Sequence, residues 1–190
     1  LGLDAAAATK FAGGLAYQDP RLADAGVRIV TPAGQASGKF TAAGLVATDA
    51  AAYDYFRLGL ALPDGGADLV VDKSLMLESN FEVLHGVDFD KGCFVGQELT
   101  ARTKYRALVR KRLLPVLIDG PLPDPGTPLM VGEREVASMR SGQKDRGLAL
   151  VRLDRLADAG GLGQSLRAGE AEVTIQMPDW ADFDLNAEVV

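Results

Sequence analysis

Short apolar runs separated by turn sequences fill the second half of the chain, and they constrain the fold more than any other feature. Four of these runs are predicted as strands, at residues 113–118, 128–131, 136–139 and 148–153. A fifth, at residues 171–177, alternates apolar and polar residues, as a strand with one solvated face does. Residues 154–167 are predicted as a partly helical loop. Short strands at this spacing favour a small antiparallel β-barrel or sandwich.

The first half of the chain mixes helix and strand signals, which predicts a separate α+β domain. We place the boundary inside residues 105–112, giving domains at 1–106 and 107–190. The elements predicted before residue 48 are a short helix or loose terminus at 4–10, strands at 15–17 and 27–30, and a loop or weakly extended segment at 31–47.

A helix is predicted over residues 49–60, with Thr48 or Asp49 as its N-cap. Its expected buried face, read from the helical spacing of apolar residues, consists of Ala52, Tyr53, Phe56 and Leu60. After a turn at 63–66, residues 69–71 are predicted as a short strand.

Two arginines, Arg21 and Arg28, lie close to Asp19 and Pro20 in sequence. They are compatible with solvated surface positions or with a structural ion pair, and the sequence favours neither.

A cysteine between two glycines is the strongest indication of chemistry. Cys93, the only cysteine, follows Gly92 and precedes Gly96, where a helix is predicted to begin. The free N–H groups and the positive dipole end of that helix, with Lys91 nearby, favour a thiolate. We therefore predict Cys93 and Lys91 as the catalytic pair, against the alternative of a small buried core thiol. A pair between Cys93 and His85 is conceivable, although a loop histidine beside a glycine usually faces solvent.

The segment from residue 91 to residue 104 also resembles a known family. It runs Lys-Gly-Cys-Phe-Val-Gly-Gln-Glu and then, after three residues, Arg-Thr-Lys. This is similar to the signature of the YgfZ family of folate-binding proteins, relatives of the glycine-cleavage T-protein (aminomethyltransferase). The resemblance implies an α+β fold with an incomplete ferredoxin-like domain followed by a C-terminal antiparallel β-barrel. Since the sequence opens on Leu1 without an initiator methionine, we expect further sequence upstream.

The same resemblance implies a ligand and a role. The ligand is tetrahydrofolate or a derivative, and the role is iron–sulfur cluster assembly or repair, and through it tRNA modification. Partners would be iron–sulfur proteins or their assembly factors. Glu78 or Glu98 is expected to bind the pterin N–H groups. The residues expected at the folate are Glu78, Gly96, Gln97, Glu98, Arg102, Lys104 and Tyr105.

Residues 102–112 form a basic segment in a chain whose net charge is −6, because six of these eleven residues are Lys or Arg. Such a run is often only a solvated face. Beside the Cys93 turn it favours an anion instead, either the glutamate tail of a folate or, weakly, tRNA.

Two further function classes stay open. One is a folate-dependent aminomethyltransferase, although that branch commonly has an acidic residue at the position of Cys93; whether the protein is an enzyme is therefore undecided. The other is a non-catalytic RNA- or protein-binding module. One histidine and one cysteine argue against a structural zinc site and an internal disulfide. We expect a cytoplasmic protein without a membrane contact, because no apolar run has membrane-spanning length.

Overall fold

The computed structural model describes residues 8–34, 37–105 and 109–183, and the chain divides into two compact units, Leu1–Tyr53 and Asp54–Val190. The first unit contains an antiparallel sheet in the order β1-β2-β3. Its elements are β1 (Thr9–Phe11), β2 (Gly14–Gln18), β3 (Val27–Val30) and the short helix α1 (Ser37–Ala42), with one 3₁₀ turn at Ala23–Ala25.

The predicted strands at 15–17 and 27–30 are confirmed as β2 and β3. The short helix or loose terminus predicted at 4–10 is wrong where the structure describes it, because Thr9–Phe11 pairs with β2. Ala12 and Gly13 both take positive φ, 52° and 82°, and so close a tight hairpin that overrides the helix preference of alanine. Residues 4–7 lie outside the described residues. The loop predicted at 31–47 is likewise wrong at α1, where Phe40 stacks on Phe11 of β1.

Arg21 and Arg28 form an ion pair with Asp19, which confirms the structural alternative. Their guanidinium nitrogens lie 2.9 and 2.6 Å from the buried carboxylate of Asp19. Burial acts to raise the pKa of Asp19, but the hydrogen bonds from the two arginines outweigh it and hold that pKa well below its ordinary value. The cluster ties the end of β2 to β3.

Helix α2 (Ala50–Gly59) begins where the sequence predicts, and Asp49 is its N-cap, accepting a 2.7 Å hydrogen bond from the Ala52 N–H. The predicted buried face is wrong. Tyr53 and Phe56 are 52% and 44% exposed, whereas Arg57 and Leu58 are buried. The helix turns this way because Arg57 finds a buried carboxylate on Asp68, a partner that helical spacing does not reveal.

The strand predicted at 69–71 is also wrong, because residues 69 and 70 have no regular secondary structure and Val71 begins a turn. The carbonyl of Val70 accepts hydrogen bonds from the N–H groups of Lys73 and Ser74, and the Val70 N–H donates to the Ser74 hydroxyl. These local bonds leave no backbone groups of Val70 for a ladder.

Six antiparallel strands close into a barrel in the order β4-β7-β6-β5-β8-β9. They are β4 (Lys111–Asp119), β5 (Pro128–Val131), β6 (Arg134–Gln143), β7 (Arg146–Arg152), β8 (Ser165–Ala168) and β9 (Ala171–Ile175). The α+β class with a C-terminal antiparallel barrel is thus confirmed. Helix α3 (Gln97–Tyr105) precedes the barrel in the chain. Helix α4 (Leu153–Asp158) fulfils the partly helical prediction for 154–167, but β8 falls in the same range and was not predicted.

The barrel interior is filled by apolar side chains from all six strands, among them Leu114, Leu129, Met139, Val151 and Val173. A second cluster lies outside it, where α2 covers the barrel wall. This cluster consists of Leu58, Ala61, Leu113 and Leu148, with Trp180 packed against it.

Residues 54–105 are fastened to the barrel by this cluster and by polar bonds, which is why the compact units divide at 53/54 and not at the start of β4. Asp68, for example, accepts hydrogen bonds from the backbone and the hydroxyl of Ser141 on β6. The boundary predicted at 106/107 lies beside the first barrel strand, and as a boundary between domains it stays a prediction. None of the helices in the described part of the chain is long and apolar enough to cross a membrane.

Candidate functional site

Helix α3 (Gln97–Tyr105) and the turn before it carry most of the predicted site. Gly96 has a φ of 87°, which side-chain-bearing residues rarely adopt, so glycine is needed at the helix start. The Gln97 side-chain oxygen accepts a 3.0 Å hydrogen bond from the Phe94 N–H. Gln97 therefore fixes the turn around Cys93, as a reach-back side chain at a helix start does.

Cys93 is exposed, so the alternative of a buried core thiol is wrong. Lys91 places its ammonium group 4.7 Å from the centre of the Phe94 ring, which is a cation–π contact. The two residues lie on either side of Cys93 in the chain. His85 is exposed in its loop, with a φ of 58°, and none of its described hydrogen bonds reaches Cys93. The turn thus presents a thiol that a partner can reach.

The charges on α3 are already paired. Arg102 lies 2.8 Å from Glu98 one turn away, and Lys104 forms an ion pair with Glu82. Lys104 also lies over the Phe89 ring, with its ammonium 5.6 Å from the ring centre. The positive potential at α3 is therefore lower than a count of its basic residues indicates.

Tyr105 meets Phe89 edge to face, with ring centres 6.0 Å apart. Phe89 and Glu82 are thus neighbours of the predicted site that sequence reasoning missed. Both come from a preceding loop with no regular spacing relative to α3, so the sequence carried no signal for them.

The basic segment is not one surface. Arg110 is exposed, whereas Arg112 is buried and donates a 3.0 Å hydrogen bond to the Leu77 carbonyl. Its guanidinium also lies 4.3 Å from the centre of the Phe183 ring. Arg112 therefore holds a loop and cannot serve an external anion as predicted. Arg106, with residues 107 and 108, lies outside the described residues.

Glu78 belongs to the loop that Arg112 holds. Its backbone carbonyl accepts a 2.8 Å hydrogen bond from the Leu113 N–H on β4, and Asn80 Nδ2 donates at 2.6 Å to the Leu113 carbonyl. Burial raises the pKa of the Glu78 carboxyl, and the positive charges of Lys111 and Arg140 oppose that rise only in part. A half-buried carboxyl with a raised pKa can accept a hydrogen bond or, when protonated, donate one.

A small cleft runs between residues 74–77 and α3, where Leu99, Thr100 and Thr103 line it. Its volume is about 110 Å³, below the roughly 300–1,000 Å³ of sites that enclose a drug-sized ligand. This cleft can hold a side chain or a ring, but not a whole folate.

Comparison with known proteins identifies relatives for both parts of the chain. Residues 110–183 match the family described as "CAF17, C-terminal beta-barrel domain", which is the region of the closed barrel. The chain is 38% identical over 172 residues to the iron–sulfur cluster assembly factor IBA57, mitochondrial, of Mus musculus, covering 86% of this chain and 46% of that protein.

Two further relatives carry similar names. The Homo sapiens protein of the same name is 38% identical over 177 residues, covering 89% of this chain and 48% of its own length. The IBA57 homologue of Neurospora crassa is 43% identical over 103 residues, covering 54% of this chain and 23% of its own. The chain therefore spans about half the length of the mammalian relatives. It is similar to IBA57-type iron–sulfur cluster assembly factors over most of its length, and its barrel matches the CAF17 C-terminal domain.

Proposed function

We propose that this protein acts in iron–sulfur cluster assembly or repair, with Cys93 as the thiol that meets the cluster. The observation that carries the proposal is an exposed cysteine in a hydrogen-bonded turn at the start of α3. The chain that contains it is similar to iron–sulfur cluster assembly factors. Iron–sulfur clusters are held by several thiolates. Cys93 supplies one, and the remaining ligands come from outside this chain.

The turn suits a transient ligand. The Gln97 bond to the Phe94 N–H holds the turn on the helix, while the thiol itself stays accessible. An exposed single thiolate can exchange ligands, whereas a closed set of several would retain the cluster.

Tetrahydrofolate or a derivative is the proposed small-molecule ligand, as in YgfZ-type proteins. The half-buried Glu78 carboxyl can bind the N–H groups of a pterin. A glutamate tail at α3 requires Arg102 or Lys104 to exchange its present carboxylate for that of the ligand. Effects on tRNA modification would then follow from the supply of clusters to tRNA-modifying enzymes.

A complementation experiment tests the cluster role. Cells that lack the endogenous full-length protein receive the wild type, Cys93→Ser or the control Val95→Ser, which changes a fully exposed neighbour in the same turn. We expect Cys93→Ser to accumulate normally yet fail to restore the activity of iron–sulfur enzymes, while Val95→Ser restores it. Full rescue by Cys93→Ser would remove the cysteine from the mechanism.

A titration of the purified full-length protein tests the ligand. Tetrahydrofolate with one or several glutamates is added to the wild type and to Lys104→Gln. We expect Lys104→Gln to weaken binding of the polyglutamate more than that of the monoglutamate. Equal losses would place the tail elsewhere, and no binding to the wild type would end the folate proposal. A parallel titration with tRNA against salt detects a phosphate contact as a steep salt dependence.

A further inference from the structure

A second cleft lies on the outer wall of the barrel, where the cover provided by α2 ends. Leu58 of α2 packs on Leu113 and Leu148, and the cleft opens beside Gly59. The cleft measures about 210 Å³. Its lining comes from the end of α2, from the middle of β4, from Arg146 at the start of β7, and from the segment after β9: Leu58, Gly59, Pro115, Val116, Leu117, Arg146, Gln176, Met177, Pro178 and Asp179.

Arg146 is the cation of this cleft, and the structure holds it in place. Its guanidinium carbon lies 4.7 Å from the centre of the Tyr55 ring, and the Tyr55 hydroxyl donates to Asp145 at 2.9 Å. Among the described residues no carboxylate forms an ion pair with Arg146, so its planar N–H donors stay available. A fixed, unpaired guanidinium suits a carboxylate, which it binds through two parallel hydrogen bonds.

Gly59 makes room for this arginine. A Cβ atom at residue 59 would lie only 2.1 Å from Arg146 Nη1. Glycine in a helix costs about 1 kcal/mol relative to alanine. The position of the guanidinium thus gives a physical reason for a glycine at the end of α2.

The opposite charge is present in the same cleft. Asp179 lines it, and the C-terminal end of α2 carries the negative end of the helix dipole. In the described part of the chain, no residue outside α2 donates a hydrogen bond to the Gly59 carbonyl. The negative charge of these groups disfavours a ligand that is only an anion. It favours a ligand that carries an ammonium group in addition to the carboxylate bound by Arg146. The apolar wall of Pro115, Leu117 and Met177 favours a hydrocarbon side chain.

We propose that this cleft binds a small apolar α-amino acid as its zwitterion. The carboxylate lies on Arg146, the ammonium near Asp179 and the end of α2, and the side chain against Pro115 and Leu117. The volume, below the roughly 300–1,000 Å³ of drug-sized sites, fits a ligand of this size. The site is separate from the Cys93 turn and does not depend on the cluster role.

Calorimetric titration of the full-length protein with L-leucine tests the proposal, with 4-methylpentanoate and 3-methylbutylamine as probes that lack the ammonium and the carboxylate. We expect leucine to bind and each analogue to bind at least about tenfold more weakly. Arg146→Gln should weaken leucine binding by about tenfold or more. Arg134→Gln, which removes an exposed arginine elsewhere on the barrel, should leave it unchanged.

Gly59→Ala separates binding from folding. It pushes the guanidinium out of its position while favouring the helix, so leucine binding should fall although the melting temperature does not. The proposal is overturned if leucine does not bind, if leucine and its two analogues bind equally, or if Arg146→Gln binds leucine as the wild type does.

Discussion

Asp68 should be among the most costly single positions in the second unit. Its carboxylate is fully buried and accepts four hydrogen bonds. Two come from Arg57 Nη1 at 2.5 Å and the Asp64 N–H at 2.8 Å, and two from the N–H and hydroxyl of Ser141 at 3.1 and 2.5 Å. Asp68→Ala takes the acceptor away from all four donors, and the buried guanidinium of Arg57 keeps, among the described residues, only the Asp54 carboxylate, which is 41% exposed, as an ion-pair partner. Removing one partner of a buried pair costs about 3–5 kcal/mol, and we expect a loss of that size.

Urea unfolding measures the loss, with the midpoint and the slope fitted separately so that a change in the unfolded state is recognised. The matched control is Asp158→Ala, which breaks the ion pair with Arg134. Both side chains of that pair are more than half exposed, so this variant should lose only about 0.2–1 kcal/mol.

A double-mutant cycle then tests the cause. Arg57→Met combined with Asp68→Ala removes both charges, so the double variant should lose clearly less than the sum of the two single losses. The reasoning fails if Asp68→Ala costs no more than Asp158→Ala, or if the two single losses simply add.

Three further predictions follow from two ion pairs and one buried hydrogen bond. Because the pKa of Asp19 is lowered in the folded state, its pair stabilises the protein above the ordinary aspartate value of about 3.9 and is lost as the pH falls below it. Asp19→Asn should therefore lower stability at pH 7 and weaken the acid dependence seen in unfolding below about pH 4; an unchanged acid profile would contradict this. Arg112→Gln should lower the free energy of unfolding because it strands the Leu77 carbonyl, whereas Arg110→Gln at an exposed site should not; equal effects in denaturant melts would contradict the assignment. Glu98→Ala should cost only about 0.3–0.5 kcal/mol, the value of an exposed pair one helical turn apart, and a loss of folate affinity without a change in melting temperature would instead place Glu98 in the ligand site.

The sequence predicts most of the barrel because four of its strands are short apolar runs bounded by turns and β9 alternates apolar and polar residues. Strand β8 escapes prediction because Ser165–Ala168 contains only one large apolar residue, Leu166. It is a strand because it pairs with β9 and so closes the barrel. Closure of the barrel depends on pairing between distant strands, and the four residues of β8 alone carry no signal for it.

In the candidate site, too, some features follow from local sequence signals and others follow from how distant segments pack. The turn at Cys93 and the start of α3 depend on local signals, namely a glycine with positive φ and a side chain that caps the helix start. The pairing of Lys104 with Glu82 and the burial of Arg112 depend on which loops pack together, so residue type and spacing did not predict them. A run of basic residues therefore did not become one basic surface.

The loop at residues 78–80 has a consequence for how the barrel can be probed. Leu113 of β4 pairs with Leu150 of β7 on one side, while on the other side its N–H and its carbonyl are both bound by this loop, which takes the place of a neighbouring strand. The amide hydrogen of Leu113 is thus protected from exchange by the loop, whereas that of Ile118 is protected by groups of the barrel itself. A ligand or partner that moves the loop should speed exchange at Leu113 and leave Ile118 slow, so one amide reports on the loop from inside a rigid strand.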